Sequence, residues 1–330
     1  MKKTFMYLAA FALTAGFAAC SSDDDITTPT YPEDSVVRFN VGVNDPQTRA
    51  TQTTNGTNVK EFSISILNSV SSNFSFGNVK VSGGNDHWST GETTLLWRNN
   101  TQAVDIVAYT PYVEGDYNTT STDLPVEVEE AQTSISYASD FLICKKSAFV
   151  PKNGLDDDGK LPLTFKHALS QFTVTIELKS EFNGIALVKD NPITDVKING
   201  TYVKGTCDFT KESGFVTVKT TEGEGEATPV SVSLFESAQF VPATVETDHP
   251  KATYQCLLIP QTIESGKLSV TFYVNGIPYT WKSDSEITFA EDTAYTLNLI
   301  VGKELILRGD ITASEWETDE NSEQNITVSE

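Results

Sequence analysis

The chain has 330 residues, of which 23 are lysine or arginine and 45 are aspartate or glutamate, so its formal net charge at pH 7 is −22. A protein this acidic repels phosphate backbones, which argues against nucleic acid as a partner. The length is sufficient for one large or two ordinary domains.

The first segment is a leader. Residues 1–19 combine a short basic start with an apolar stretch too short to cross a bilayer, which is typical of a secretory signal peptide. Small residues precede Cys20, and this resembles a bacterial lipoprotein signal in which the cysteine becomes the lipidated first residue. We therefore predict a lipid on Cys20 that attaches the precursor to the cell outer membrane. An ordinary signal peptide with an incidental cysteine is the alternative.

The next segment, residues 20–35, begins with the acidic run "SSDDD". Such a run is solvated and cannot pack into a core, so it predicts a tether. It also resembles the Ser/Asp-rich signal that directs lipoproteins of the Bacteroidetes to the cell surface. The resemblance implies a surface-exposed protein.

Short runs of alternating apolar and polar residues recur along the remaining chain, and almost no stretch has helical periodicity. This spacing predicts an antiparallel all-β fold of the sandwich type. Asn275-Gly276 lies between two apolar runs and predicts a hairpin with a type I′ turn, since both residues tolerate positive φ. The clearest runs are 61–67, 102–109, 171–178, 214–220, 267–274 and 294–301.

The clearest internal break is "PKNGLDDDGK", residues 151–160. Its Gly, Asp and Pro content is typical of a turn or a linker between domains. We therefore predict a boundary near Asp158, with an N-terminal β-sandwich over 36–158 and a C-terminal β-sandwich over 159–330.

Catalytic signatures are missing from the sequence. The three histidines share no metal spacing and accompany no Ser or Cys motif, and there is no glycine-rich nucleotide loop. We expect no enzymatic activity, metal or cofactor, and we interpret His167 as a half-buried histidine hydrogen-bonded near the entry of a strand. Three cysteines remain after the leader, an odd number that predicts buried free thiols: Cys144, Cys207 and Cys256.

A group of aromatic residues in the first half leaves a second function open. Exposed and coplanar rings could stack on sugars, as in a surface glycan-binding lipoprotein of a nutrient-uptake system. The competing interpretation is that Trp97 and Tyr109 are core residues of strands. The group consists of Trp88, Trp97, Tyr109, Tyr112 and Tyr117.

Residues 36–43 predict a strong first strand. Val37, Phe39, Val41 and Val43 alternate with polar residues or glycine, which is the pattern of a strand with one buried face. The polar segment that follows has no capacity to build a core. Arg49 is the only arginine between positions 44 and 58.

These features together resemble the fimbrillin family of Bacteroidales. The resemblance spans essentially the whole chain, and its implications are two transthyretin-like β-sandwich domains in tandem, surface export, proteolytic maturation and head-to-tail polymerisation into a type V pilus that serves cell adhesion. Four stretches carry it: "AACSSDDD", "VVRFNV" followed by "TRATQTT", "SDFLICKKS" with "LPLTFKHALSQFTVTIEL", and "AYTLNLIVGKELILRGDITASEW".

The resemblance also implies roles for the chain ends. An arginine-specific protease is expected to cut between Arg49 and Ala50, so that residues 36–49 become a removable strand and cleavage loop. The vacated groove would then accept a donor strand from the 303–330 tail of another subunit.

Two pieces of that tail have the required alternation, and the sequence leaves the choice open. It equally leaves open whether the subunit belongs to the stalk, the tip or the anchor. The two candidate donor pieces offer Leu305 with Leu307, and Ile326 with Val328.

Overall fold

The computed structural model of the protein describes residues 31–43, 59–84, 87–135, 139–184, 186–219 and 228–316. Strands dominate these residues, which confirms the prediction of an all-β fold. Among the described residues, helix is limited to one α-helical turn, Pro151–Gly154, and two 3-10 turns, Ser72–Phe74 and Ser180–Asn183.

The strands are short and follow the alternating runs of the sequence. The first eight are β1 (Phe39–Val43), β2 (Glu61–Leu67), β3 (Phe76–Gly84), β4 (His87–Ser89), β5 (Val104–Thr110), β6 (Leu124–Glu127), β7 (Leu142–Phe149) and β8 (Leu161–His167). The next seven are β9 (Ser170–Leu178), β10 (Ile193–Thr201), β11 (Lys204–Cys207), β12 (Val216–Val218), β13 (Val230–Ser233), β14 (Phe235–Val241) and β15 (Lys251–Leu258). The last six are β16 (Gln261–Ile263), β17 (Ser269–Val274), β18 (Ile277–Lys282), β19 (Ile287–Phe289), β20 (Thr293–Val301) and β21 (Ile306–Glu315).

The first half of the chain forms a seven-stranded sheet with the order β1-β8-β7-β5-β2-β3-β4. Strands β7 and β8 pair within it, with Leu142 opposite His167. Residues 151–160 therefore lie between two strands of one sheet, contrary to the predicted boundary near Asp158. The chain leaves this sheet after His167 and enters another at Ser170.

The second half contains a five-stranded sheet, β14-β15-β9-β20-β21, and a four-stranded sheet, β13-β10-β17-β18. Asn275 and Gly276 join β17 to β18 with φ of 51° and 79°, which confirms the predicted hairpin. Not all pairing is antiparallel, however: β1 pairs in parallel with β8, and β9 with β20. In both pairs the partners are far apart in sequence, so a tight turn does not impose antiparallel pairing.

One strand of the first half pairs with the second half. β6 forms a small sheet with β11 and β12. Shortly after β6, the buried side chain of Gln132 makes two hydrogen bonds to the backbone of Leu257: its Nε2 donates to the carbonyl oxygen over 2.9 Å, and its Oε1 accepts from the N–H over 2.7 Å. The two halves are therefore interwoven rather than joined by a single crossing of the chain.

The strand β5 is buried on both faces. Ile106 and Ala108 belong to the core of the first half, whereas Val107 and Tyr109 belong to the core shared with the second half. The Tyr109 ring stacks between Phe141 and Phe209, at centroid distances of 5.9 Å and 5.4 Å. The interior between the halves is thus continuous and apolar.

Candidate functional site

The first strand lies at the edge of the seven-stranded sheet. The five residues of β1 pair in parallel with Leu161–Phe165 of β8. Just before β1, the Val37 N–H donates to Leu95 O over 3.0 Å and the Trp97 N–H donates to Ser35 O over 2.8 Å. The segment therefore bridges β8 and the stretch around residues 95–97.

The side chains of this segment alternate as the sequence predicts. Val37, Phe39 and Val43 are buried, and Val41 is half-buried against the same core. Phe39 meets Phe62 edge to face, with ring centroids 5.5 Å apart. Burial of an apolar side chain of this size stabilises by about 1.5–3 kcal/mol, so the three buried ones contribute roughly 5–9 kcal/mol as an upper estimate.

Polar contacts around β1 are at the surface. Arg38 forms a salt bridge with Asp34 over 2.6 Å, and its hydrogen bond lowers the pKa of the Asp34 carboxyl to about 2. The Asn40 amide donates to Asp156 over 2.8 Å. Exposed contacts of this kind contribute little to stability, so apolar burial and backbone pairing hold the strand.

Several predicted site residues lie outside the described residues. They are Cys20, Arg49, Ala50, Ile326 and Val328. Both residues that flank the polar segment 44–58, which contains Arg49, are buried: Val43 at the end of β1 and Val59 just before β2. The predicted cut would therefore fall between two points fixed in the same core.

The C-terminal donor candidate that the structure describes belongs to an edge strand. β21 pairs antiparallel with β20 and forms one edge of the five-stranded sheet. Leu305 precedes the strand and is 54% exposed, while Leu307 lies where the register shifts between Val301 and Ile300. Donation of this piece to another subunit would require opening the start of β21.

A cluster at the junction of the two halves joins β8 to the end of β21. The Asp140 Oδ2 lies 2.7 Å from the His167 Nδ1, and the His167 ring stacks on Trp316 with centroids 3.9 Å apart. The His167 side chain is 13% exposed, which confirms a half-buried histidine with a hydrogen bond, although it lies at a strand's end. The sequence alone predicted no role for Trp316. The one feature that could have drawn attention to it is its position as an aromatic residue directly after an alternating run.

The chemistry available in the described residues is limited. They contain no group of three or more His, Cys, Asp or Glu side chains that could hold a metal ion. Cys144, Cys207 and Cys256 are buried free thiols, as predicted, and burial raises their pKa values. Among the residues described, no helix is both long and apolar enough to cross a membrane.

The aromatic residues do not form a sugar platform as a group. Trp97 and Tyr109 are both buried in the core, as the competing interpretation predicted, but only Tyr109 lies in a strand, β5. A surface pocket of about 440 Å³ lies in the second half, and its lining contains no aromatic ring: Gly184, Leu187, Val245, Glu246 and Thr247.

Comparisons with known proteins agree with this architecture. The sequence pattern of the fimbrillin-like family matches residues 48–316, and the chain belongs to that family. The family consists of structural fimbrial subunits rather than enzymes, so its members lie at the cell surface, in fimbriae. No curated protein matches the sequence.

The solved structures with a similar fold include two from Bacteroides species. A candidate cell adhesion protein from Bacteroides uniformis is 17% identical, with a TM-score of 0.58 over 86% of this chain and 99% of its own. A candidate cell adhesion protein from Bacteroides ovatus is 13% identical, with a TM-score of 0.60 over 88% of this chain and 100% of its own. At these identities the likeness establishes the fold alone.

Proposed function

We propose that this protein is a pilus subunit that is exported as a lipoprotein, cut after Arg49 and polymerised by strand exchange. A lipid on Cys20 would hold the precursor at the outer membrane, and the cut would separate the folded body from that lipid. The observation that carries the proposal is β1: a short edge strand with buried side chains, followed by a polar segment with one arginine.

The energetics favour a definite order of events. Spontaneous loss of residues 36–43, with the buried side chains of Val37, Phe39 and Val43, would remove roughly 5–9 kcal/mol of burial, which is comparable with the whole stability of a domain, about 5–15 kcal/mol. The strand therefore leaves only slowly by itself, and exchange proceeds through an incoming strand that takes its place. The polymer should then resist dissociation kinetically, because each donor leaves only by exposing a full groove.

The donor is proposed to come from the C-terminal tail of another fimbrillin subunit. A donor around Leu305 and Leu307 must disrupt β21, whereas a donor around Ile326 and Val328 leaves the pairing of β20 and β21 untouched. The second piece is therefore the better candidate. A contact between one subunit's tail and the next subunit's groove is heterologous and does not close, so it builds a filament.

The test of maturation is incubation of the purified precursor with an arginine-specific protease. Mass spectrometry should find a cut after Arg49, and electron microscopy should find filaments afterwards. Arg49→Ala should remain uncut and monomeric, whereas Arg98→Ala, which alters another exposed arginine, should behave as the unaltered protein. Filaments of uncut Arg49→Ala would contradict the maturation step.

The test of the donor uses charged substitutions on either piece. Ile326→Asp should leave cleavage intact and abolish filament growth, because a carboxylate cannot enter an apolar groove without a partner. Leu305→Asp, at an exposed position, should have little effect on growth. The reverse result would assign the donor to the earlier piece, and growth with both substitutions present would contradict strand exchange.

A further inference from the structure

The strand β8 contacts both ends of the described chain. Its edge pairs with β1, and its last residue, His167, stacks on Trp316 at the end of β21. Because β1 runs parallel to β8, the chain leaves β1 at Val43, which is opposite Phe165. Phe165 precedes His167 by two residues, a distance of about 7 Å along a strand. The exit of the first strand and the end of β21 thus lie at the same end of β8.

The rings of His167 and Trp316 are in close contact. The two rings are nearly parallel, with an interplanar angle of 11°, and Trp316 is 6% exposed. The Trp316 N–H also donates to Asp292 O over 3.2 Å, and the Asp292 N–H donates to Leu169 O over 3.1 Å. The backbone at the end of β21 is thus tied to the same short stretch that joins β8 to β9.

The orientation of the His167 ring is set by Asp140. The side chain of Asp140 is 4% exposed, and one of its oxygens contacts the imidazole over 2.7 Å. Its other oxygen, Oδ1, is buried and has no hydrogen-bond partner among the described residues. A buried carboxylate oxygen without a hydrogen-bond partner lowers the stability of the fold. Local losses of stability of this kind are typical of positions that serve a function.

We propose that Asp140, His167 and Trp316 form a clasp that couples release of the first strand to release of the C-terminal end. This inference rests on the strand exchange proposed above and deepens it by assigning positioning residues. β1 stabilises the edge of β8, and the clasp requires the end of β8 in its present place. Each therefore stabilises the other, and the coupling is reciprocal by thermodynamic necessity.

The clasp determines the order in which the first strand and the C-terminal end are released during the exchange. While β1 is in place, Trp316 holds the end of β21 on its own subunit. When β1 leaves, β8 loses a pairing partner next to His167 and the stack weakens. The C-terminal end is then released from a subunit whose groove is exchanging its strand.

The test measures strand retention independently of the native cleavage site. Residues 51–56 are replaced by the recognition sequence of an unrelated protease, and the loss of the cut N-terminal segment from the body is followed by size-exclusion chromatography. Trp316→Ala should lose the segment about three- to tenfold faster than the parent, the range expected for one aromatic stack. Trp316→Phe, which retains a ring, should restore slow loss.

The matched control is Val232→Ala, which removes buried methyl groups from β13, away from β8. It should lower stability without changing the rate of strand loss. In the parent, hydrogen exchange over residues 306–316 should rise once the cut segment has left. Equal rates for the parent and Trp316→Ala, or unchanged exchange over 306–316, would overturn the clasp.

The two proposals fail in distinguishable ways. If the native protein is not cut after Arg49 or forms no filaments, the proposed function is wrong, yet the engineered cut still reports on the clasp. If filaments form normally but Trp316→Ala retains its strand as the parent does, the clasp alone is wrong. Should Trp316→Ala fail to fold, Asp140→Asn, which weakens the hold on the imidazole, takes its place and should also speed strand loss.

Discussion

The first and the last described strands both lie at sheet edges, but they are held in different ways. β1 has five backbone partners and pairs in parallel, whereas β21 has nine and pairs antiparallel. Two of the five side chains in β1 are fully buried, those of Phe39 and Val43, while no described side chain within β21 is fully buried. Three side chains of β21 pack against the core while partly exposed: Ile306, Ile311 and Ala313. β1 thus depends more on fully buried side chains, and β21 depends more on backbone pairing.

This difference affects which of the two strands is better adapted to the proposed strand exchange between subunits. Backbone pairing is nearly independent of sequence, so a strand held that way can be replaced by many others. Side-chain burial requires a partner with apolar residues at alternate positions. A groove that selects by side chains therefore favours a dedicated donor over an arbitrary strand, which limits mispairing at an open edge.

Removal of the largest buried side chain of β1 is expected to have the largest effect on stability. Phe39→Ala should lower the free energy of unfolding by about 3–5 kcal/mol, because it leaves a cavity against Phe62. Urea denaturation followed by fluorescence measures the change. Asn40→Ala, at the exposed neighbouring position, should cost less than about 1 kcal/mol. Equal losses would mean that backbone pairing, not side-chain burial, holds β1.

A pair of glycine substitutions tests how tightly each edge strand is packed. A Cβ at Gly309 in β21 would meet the Trp281 Nε1 at 2.3 Å and the Leu299 Cδ2 at 2.8 Å. Gly309→Ala should therefore destabilise by about 1–3 kcal/mol through overpacking.

The matched substitution in β1 should behave differently. A Cβ at Gly42 has nothing within 4 Å, so Gly42→Ala should be neutral or stabilise by about 0.4–1 kcal/mol. Thermal melts of the two variants measure the contrast. A larger loss for Gly42→Ala than for Gly309→Ala would show that the outer face of β1 is covered in solution.

The smallest expected effect concerns the ion pair beside β1. Hydrogen bonds from Arg38 lower the pKa of Asp34 from 3.8 to about 2. The pair's contribution to stability is therefore complete above pH 3.8 and is lost as the pH falls toward 2. Asp34→Asn should remove this part of the acid dependence in denaturation curves, whereas Glu33→Gln should keep it. Identical acid profiles for the parent and Asp34→Asn would contradict the assignment.

The sequence predicted those parts of the fold that depend on local pattern. The alternation correctly predicted that Val37, Phe39 and Val43 are buried, and the Asn275-Gly276 pair correctly predicted a hairpin. Both follow from residues adjacent in the chain, since side-chain direction alternates along a strand and turn geometry depends on two φ angles. The all-β class follows from the same local information.

The sequence alone did not predict which strands pair with each other. The alternation of Leu161, Leu163 and Phe165 identifies a strand, but it does not reveal that β8 pairs with β7 and β1, so the predicted boundary near Asp158 was wrong. The stack of Trp316 on His167 joins residues that are remote in sequence, and no local pattern specifies it. Such pairings depend on which surfaces meet in the folded chain.

The interweaving of the two halves also has a mechanical consequence. Pulling the halves apart would have to draw β6 out of its sheet, breaking four backbone pairs with β11 and both hydrogen bonds of Gln132. Tension along the molecule is therefore shared by several parallel attachments rather than carried by the short stretch between His167 and Ser170. A molecule built in this way transmits a pulling force as one unit. Under load, its contacts with other molecules are therefore expected to separate before its two halves do.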